Sequence, residues 1–351
     1  MAGTGTGHHR NSSMQSLTYK NVRRENRSLV SLARVRAVGS ATLLVAGTFV
    51  CATSSSAVTH QTGHTVQSER IVPILTTVTD TQKRLVTNLT KDDFEILDNE
   101  KPQPLIFFQS DVQPITVIVM IDRSGSVTGT SGAPVQLTAA VDGFLRLLPP
   151  QDEARAGAFS DKIQFTSHFT SNRNDVISEL QNFVSGNGTK LFDALLASLD
   201  ELKSRQGRRV VVVITDGDDT QSHASRSTVI EHERADDAIV YVIGLHTELF
   251  DGRRVVRKSP SRDTVDLAEE TGGGYFEAQK ASDVARMMVR IAQELHGQYV
   301  LGFSPAQLDG RVHKLTVRVK QRGLTARARR SYSAATIRWS SLLNVKSPDQ
   351  S

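Results

Sequence analysis

Cysteine is almost missing from this chain. Its one thiol among 351 residues, Cys51, lies in a stretch expected to be removed, so disulfides and thiol catalysis are both excluded from the mature protein. Tryptophan is equally scarce. Trp339 stands alone, and Tyr299 and Phe303 are too scattered to build a stacking platform for bases. Net positive charge is also lacking outside the N-terminus. Residues 1–36 hold seven Lys or Arg against Glu25, a net of +6, so the chain total of +5 leaves the remainder at −1. A nearly neutral body argues against a nucleic-acid partner. Several catalytic signatures are missing as well. There is no G-x-S-x-G elbow, SGNGTK at 185–190 lacks the spacing of a phosphate loop, and no Cys/His cluster suggests zinc.

What is present begins with a targeting pattern. The basic residues 1–36 are followed by AVGSATLLVAGTFVCA at 37–52, uncharged and then flanked by small residues from Thr53 to Ala57. This reads as a signal peptide over 1–57, cleaved after Ala57, which places the protein outside the cell, in the periplasm or in the envelope. An uncleaved anchor is the alternative, although the apolar run is short for a full span. Val50 ahead of Cys51 spoils a lipoprotein site, and Glu25-Asn26 follows Arg23-Arg24 where a twin-arginine signal wants Phe-Leu. Residues 58–70 are polar and read as a linker.

The body divides by pattern. Residues 71–112 read as short strands (Ile71 to Thr79, Phe94 to Leu97, Leu105 to Phe108) broken by polar turns. Residues 113–297 alternate strand and helix, which predicts an α/β unit with a Rossmann-like, doubly wound, mainly parallel sheet. Its helices are expected near 134–148, 176–184, 226–236, 263–271 and 281–296, with one more, carrying Leu191, Leu195, Leu199 and Leu202, opened by the loop at 185–189. Met287, Ile291 and Leu295 form a core stripe on the helix at 281–296. Residues 298–333 return to strand, with Leu315, Val317 and Val319 facing inward. The two β segments are each too small to fold alone, so 298–333 is expected to pair with 71–112 into a small all-β flanking domain. Residues 334–351 read as a flexible tail.

Two apolar, β-branched runs end on carboxylates. Ile115 to Ile121 leads into Asp122-Arg123-Ser124-Gly125-Ser126, and Arg209 to Thr215 leads into Asp216-Gly217-Asp218-Asp219. Both read as buried central strands, whose carboxyl ends are where open α/β sheets bind ligands. Between them the loop SGNGT presents Thr189 at the start of a helix. Asp122, Ser124, Ser126, Thr189 and Asp216 are thus an all-oxygen set with two carboxylates. Such donors suit a hard divalent cation, Mg²⁺ or Mn²⁺, with water or an outside ligand completing the shell, whereas a dedicated Ca²⁺ site wants more carboxylates.

At these residues the sequence resembles a von Willebrand factor type A (VWFA) domain with its metal-ion-dependent adhesion site. DRSGS matches the first motif, the Thr189 loop the second and TDGDD the third. The resemblance implies that Asp122, Ser124, Ser126, Thr189 and Asp216 hold Mg²⁺ (or Mn²⁺ or Ca²⁺), directly or through water, with Asp218 and Asp219 behind them or merely solvated. It also implies binding of a protein partner, often through an acidic side chain that reaches the metal. The flanks, VTNLTKDDFEILDNEKPQPLIFF, GQYVLGFSP and HKLTVRVKQRGLTARARRSY, resemble those of bacterial secreted VWFA-related proteins of the acidobacterial type.

Other readings are weaker. A serine hydrolase built on Ser124 or Ser126 lacks the elbow, and His168 and His223, the candidate bases in sequence, read as surface or strand-face residues. A metal-assisted hydrolase lacks a named base. A scaffold with a purely stabilising metal is the remaining alternative. Eight Lys or Arg without an acid between Arg311 and Arg330 read as the solvent face of edge strands. The sharper reading of that run is attachment to an anionic membrane or envelope surface.

Overall fold

The computed structural model describes residues 71–335, apart from 112, 130, 131 and 251. The expected signal peptide, the linker and residues 336–351 of the expected tail lie outside the described residues. The chain divides at Gly63 and His64, and every described residue belongs to the second unit.

Four strands come first: β1 (Val72–Thr79), β2 (Phe94–Asp98), β3 (Lys101–Gln103) and β4 (Phe107–Gln109). Then β5 (Ile115–Asp122) leads through the single turn α1 (Gly125–Thr128) to α2 (Ala133–Leu147). The hairpin β6 (Glu153–Phe159) and β7 (Ile163–Phe165) precedes α3 (Arg173–Leu180) and α4 (Leu191–Leu202). After β8 (Arg208–Thr215) come α5 (Arg226–Asp236), β9 (Ile239–Leu245) and a hairpin of β10 (Thr247–Phe250) and β11 (Val255–Lys258). The α/β part closes with α6 (Arg262–Thr271), β12 (Tyr275–Ala278) and α7 (Val284–His296). The last strands are β13 (Tyr299–Phe303), β14 (Val312–Val319), β15 (Thr325–Arg327) and β16 (Ser331–Ser333).

The central sheet has the order β12-β9-β8-β5-β6-β7. Its strands are parallel except β7, which runs antiparallel to β6 at the edge. The composition explains the positions. Every residue of β5, β8 and β9 is buried, as expected for strands covered on both faces. Side chains alternate between the two cores: Val117, Val119 and Ile121 pack with α2, α3 and α7, whereas Ile118 and Met120 pack with α4. Met288 takes the fully buried place on α7, and Met287 only leans on the same core.

The flanking segments interleave. One four-stranded sheet has the order β15-β1-β13-β4 and the other β16-β14-β2-β3, so strands from both ends of the described chain pair in each. Ile74 lies opposite Leu301 in β1 and β13, and Ile96 opposite Val317 in β2 and β14. Between the sheets, Phe94 meets Tyr299 edge-on at 5.1 Å and Phe303 meets Tyr332 at 5.7 Å. The other face of β1 and β13 supplies Leu75 and Val300 to the α/β core, which is why β1 reads as apolar on both sides. The fold is therefore α/β with a small β sandwich made from the two flanks.

The basic run behaves differently from either expectation. Arg329 is only 6% exposed and lies between Glu233 and Asp237 of the α5 end, Arg327 pairs with Glu294 of α7, and Arg330 with Glu269 of α6. Three of the eight cations thus join the sandwich to the helices. Only the earlier part, such as Arg318, keeps the solvent face. Tyr332 and Ala334 are buried, so the expected tail begins later than residue 334. Among the described residues no helix is long and apolar enough to cross a membrane.

Candidate metal centre

The site sits at the carboxyl ends of β5 and β8. Asp122 closes β5 and is fully buried. The turn that follows folds back on it: the Ser124 amide donates to Asp122 Oδ1 at 2.8 Å, and the Thr215 hydroxyl of β8 donates to Oδ2 at 2.7 Å. Both oxygens are therefore oriented before any ligand arrives. Ser124 immediately precedes α1, and its carbonyl accepts from the Thr128 hydroxyl at 2.8 Å, which locks the turn. That turn brings the Ser124 and Ser126 hydroxyls within 3.2 Å of each other.

Asp216 follows β8 and is 1% exposed. The chain then reverses through Gly217, at φ +81°, where an added Cβ would lie 2.9 Å from the Ser261 amide nitrogen. Glycine is needed there both for the left-handed backbone and for the close approach. The Ser126 hydroxyl lies close enough to the Asp216 carboxylate to favour its ionised form, which brings the first and third loops together. The Thr189 loop enters between them. Gly186 N donates to the Arg123 carbonyl at 3.2 Å, Thr189 N to the Thr220 hydroxyl at 2.9 Å, and the Thr189 carbonyl accepts from Thr220 and Gln221, each at 3.0 Å. Thr189 is 3% exposed. Asp122, Ser124 and Ser126 are thus linked through their own hydrogen bonds, Asp216 lies near enough to Asp122 and Ser126 to act on them electrostatically, and Thr189 is tied to the third loop through its backbone.

Two further carboxylates have separate tasks. Asp219 accepts from Phe192 N and Ser222 N, both at 3.0 Å, and so caps the start of α4. Asp218 is ion-paired with Lys258 at the end of β11. The hairpin of β10 and β11, which also packs against α1, was not legible in the sequence. Its TELFDGRRVVRK string, at 247–258, has little apolar alternation, and the Asp-Gly pair at 251–252 is the one signal in the sequence that could have found it.

Electrostatics make the site unfavourable as it stands. Burial pushes Asp122 up to about 7, and the neighbouring Asp216 adds to that. Burial also raises Asp216, against the opposing pull of Ser126 and of the Lys258 charge. One oxygen, Asp216 Oδ2, is buried without a hydrogen-bond partner. A buried anionic oxygen of this kind is costly unless a cation or donor meets it. The donor set, two carboxylates and three hydroxyls, fits a hard divalent ion. Among the described residues there is no group of three or more His, Cys, Asp or Glu that could hold a metal, so any ion here depends on hydroxyls.

The residues carrying this geometry fall within a wider similarity. The sequence profile of the von Willebrand factor type A domain matches residues 117–218. No curated protein matches the chain significantly. Among solved structures, a von Willebrand factor type A protein from Catenulispora acidiphila is 8% identical, covering 76% of this chain and 75% of its own, with a TM-score of 0.46. BatB from Bacteroides thetaiotaomicron is 18% identical over 52% of this chain and 97% of its own, at 0.41. Proximal thread matrix protein 1 of the mussel byssus, with a zinc-occupied MIDAS motif, is 15% identical over 55% of this chain and 48% of its own, at 0.45. At these scores the likenesses are weak and say nothing of what this chain binds.

Proposed function

Residues 117–218 form a von Willebrand factor type A domain, and from that premise we propose that the chain is a non-catalytic, extracytoplasmic module that grips a protein partner through a divalent cation. Domains of this family commonly act as metal-dependent interaction modules. Asp122, Ser124, Ser126, Thr189 and Asp216 would hold the ion, directly or through water, with Mg²⁺ or Mn²⁺ the best fit to so few carboxylates. The ion would supply an electron-poor position for an outside carboxylate. The chain's own residues prepare that position. Thr215 and the Ser124 amide fix the Asp122 oxygens, and the Asp219 cap holds the helix behind Thr189.

The observation that carries this reading is the partnerless Oδ2 of Asp216 beside a second fully buried carboxylate. Against hydrolysis, the Ser124 and Ser126 hydroxyls face each other rather than a base, and His223 pairs with Asp193. The extracytoplasmic location rests on the N-terminal targeting pattern alone. The test is a pull-down from envelope extract with the purified chain, run with Mg²⁺ and with chelator side by side. A partner held only with Mg²⁺, and lost with Asp122→Ala, supports the proposal. Equal capture under both conditions refutes it. A cation that raises the melting temperature but leaves capture unchanged would favour a stabilised scaffold.

A further inference from the structure

Lys258 is an unusual neighbour for a cation site. It ends β11, and its ammonium pairs with the Asp218 carboxylate, two residues beyond Asp216. The Asp218 amide lies 3.4 Å from Asp216 Oδ1, so the two carboxylates leave the same turn. The Lys258 charge also acts on Asp216 itself. Thr247, directly opposite Lys258 in the hairpin, is 3% exposed and faces the same side by the pleat. The Lys258 backbone is thus fixed at the rim by its pairing with β10, and its partly exposed ammonium is held there by Asp218.

We propose that Lys258 sets the affinity and the cation preference of the site, by holding Asp218 away from the ion and offsetting the charge of Asp216. With Lys258 in place the site offers two carboxylates. Without it Asp218 is released as a third, beside an Asp216 whose charge is no longer opposed. More carboxylates and a larger shell favour Ca²⁺ over Mg²⁺, because Ca²⁺ accepts more oxygen ligands in looser geometry.

This inference rests on the proposed cation site, and calorimetric titration of Mg²⁺ and of Ca²⁺ into the full chain separates the two. If the wild-type chain takes up neither ion, the site proposal itself fails. If it takes up Mg²⁺, Lys258→Met is expected to tighten Ca²⁺ binding about tenfold and Mg²⁺ binding less, since charge count tunes affinity over that range. Lys258→Arg should behave as wild type. Adding Asp218→Asn to Lys258→Met should cancel the gain. The melting temperature of each metal-free variant checks that the fold persists. Unchanged or weaker Ca²⁺ binding in a folded Lys258→Met chain overturns the inference, as does a gain that survives Asp218→Asn. Should Lys258→Met not fold, Asp218→Asn with Lys258→Arg must match wild-type Ca²⁺ binding, and a loss of about tenfold there overturns it too.

Discussion

Replacing Asp122 with asparagine should remove the pH-dependent loss of stability that this group contributes to the metal-free protein. The carboxyl is fully buried, and its folded pKa of about 7 lies above the 3.8 of an ordinary aspartate. Between those values the native state binds more protons than the unfolded chain, so stability contributed by this group is intact at low pH and is lost as pH rises through 7. A displacement of that size corresponds to about 4 kcal/mol. For a folded unit of this size, each kcal/mol moves the melting temperature by about 2–4 °C, so the difference approaches 10 °C. The substituted amide would keep the shape, and its oxygen could still accept from Ser124 or Thr215, without the charge. The assay is thermal unfolding of wild type and Asp122→Asn in chelator, at about pH 4.5 and pH 8, with the wild-type-minus-variant difference as the readout. The variant should gain on the wild type as pH rises. With saturating Mg²⁺ the order should invert, because the ion favours the ionised carboxylate. Parallel pH profiles in chelator would refute the reasoning.

Three other outcomes follow from the same geometry. Thr215→Val leaves Asp122 Oδ2 and the Gly217 amide unpartnered, and should cost about 1–3 kcal/mol in denaturant unfolding. Arg329→Met strands Glu233 and Asp237 where the cation was buried, and should destabilise by about 3–5 kcal/mol, read from the urea midpoint at neutral pH. Truncation after residue 298 removes β13, the partner of Val72 to Thr76, so amide exchange in β1 should lose its protection. Continued protection there would mean that 71–112 folds without its distant half.

The parts legible in the sequence were those decided locally. ITVIVMID and RVVVVIT announce central strands because β-branched runs bounded by Asp and Gly leave few other choices, and the loops they feed must then converge at one sheet edge. The sandwich was legible only as a need: two short β segments lacked enough core apiece. Their register, Ile74 against Leu301, depends on partners more than 200 residues apart. The same distance hid the work of charged residues. Nothing near Asp219 announces that it caps a helix 27 residues earlier, and nothing near Arg329 announces Glu233. Alternation placed Arg327 and Arg329 on the outer face of a strand, but a helix layer covers that face, so they pair inward. The β10–β11 hairpin escaped because its TELFDGRRVVRK string carries no hydrophobic period from which a two-stranded ribbon could be read.

The central claim is that three loops at the ends of β5 and β8 share one divalent ion. Calorimetric titration of Mg²⁺ into the full chain tests it most directly, with Asp122→Ala and Asp216→Ala as folded controls. The account predicts a single saturable site in the wild type and none in either variant. Equal uptake by all three proteins, or no uptake by the wild type, would contradict it.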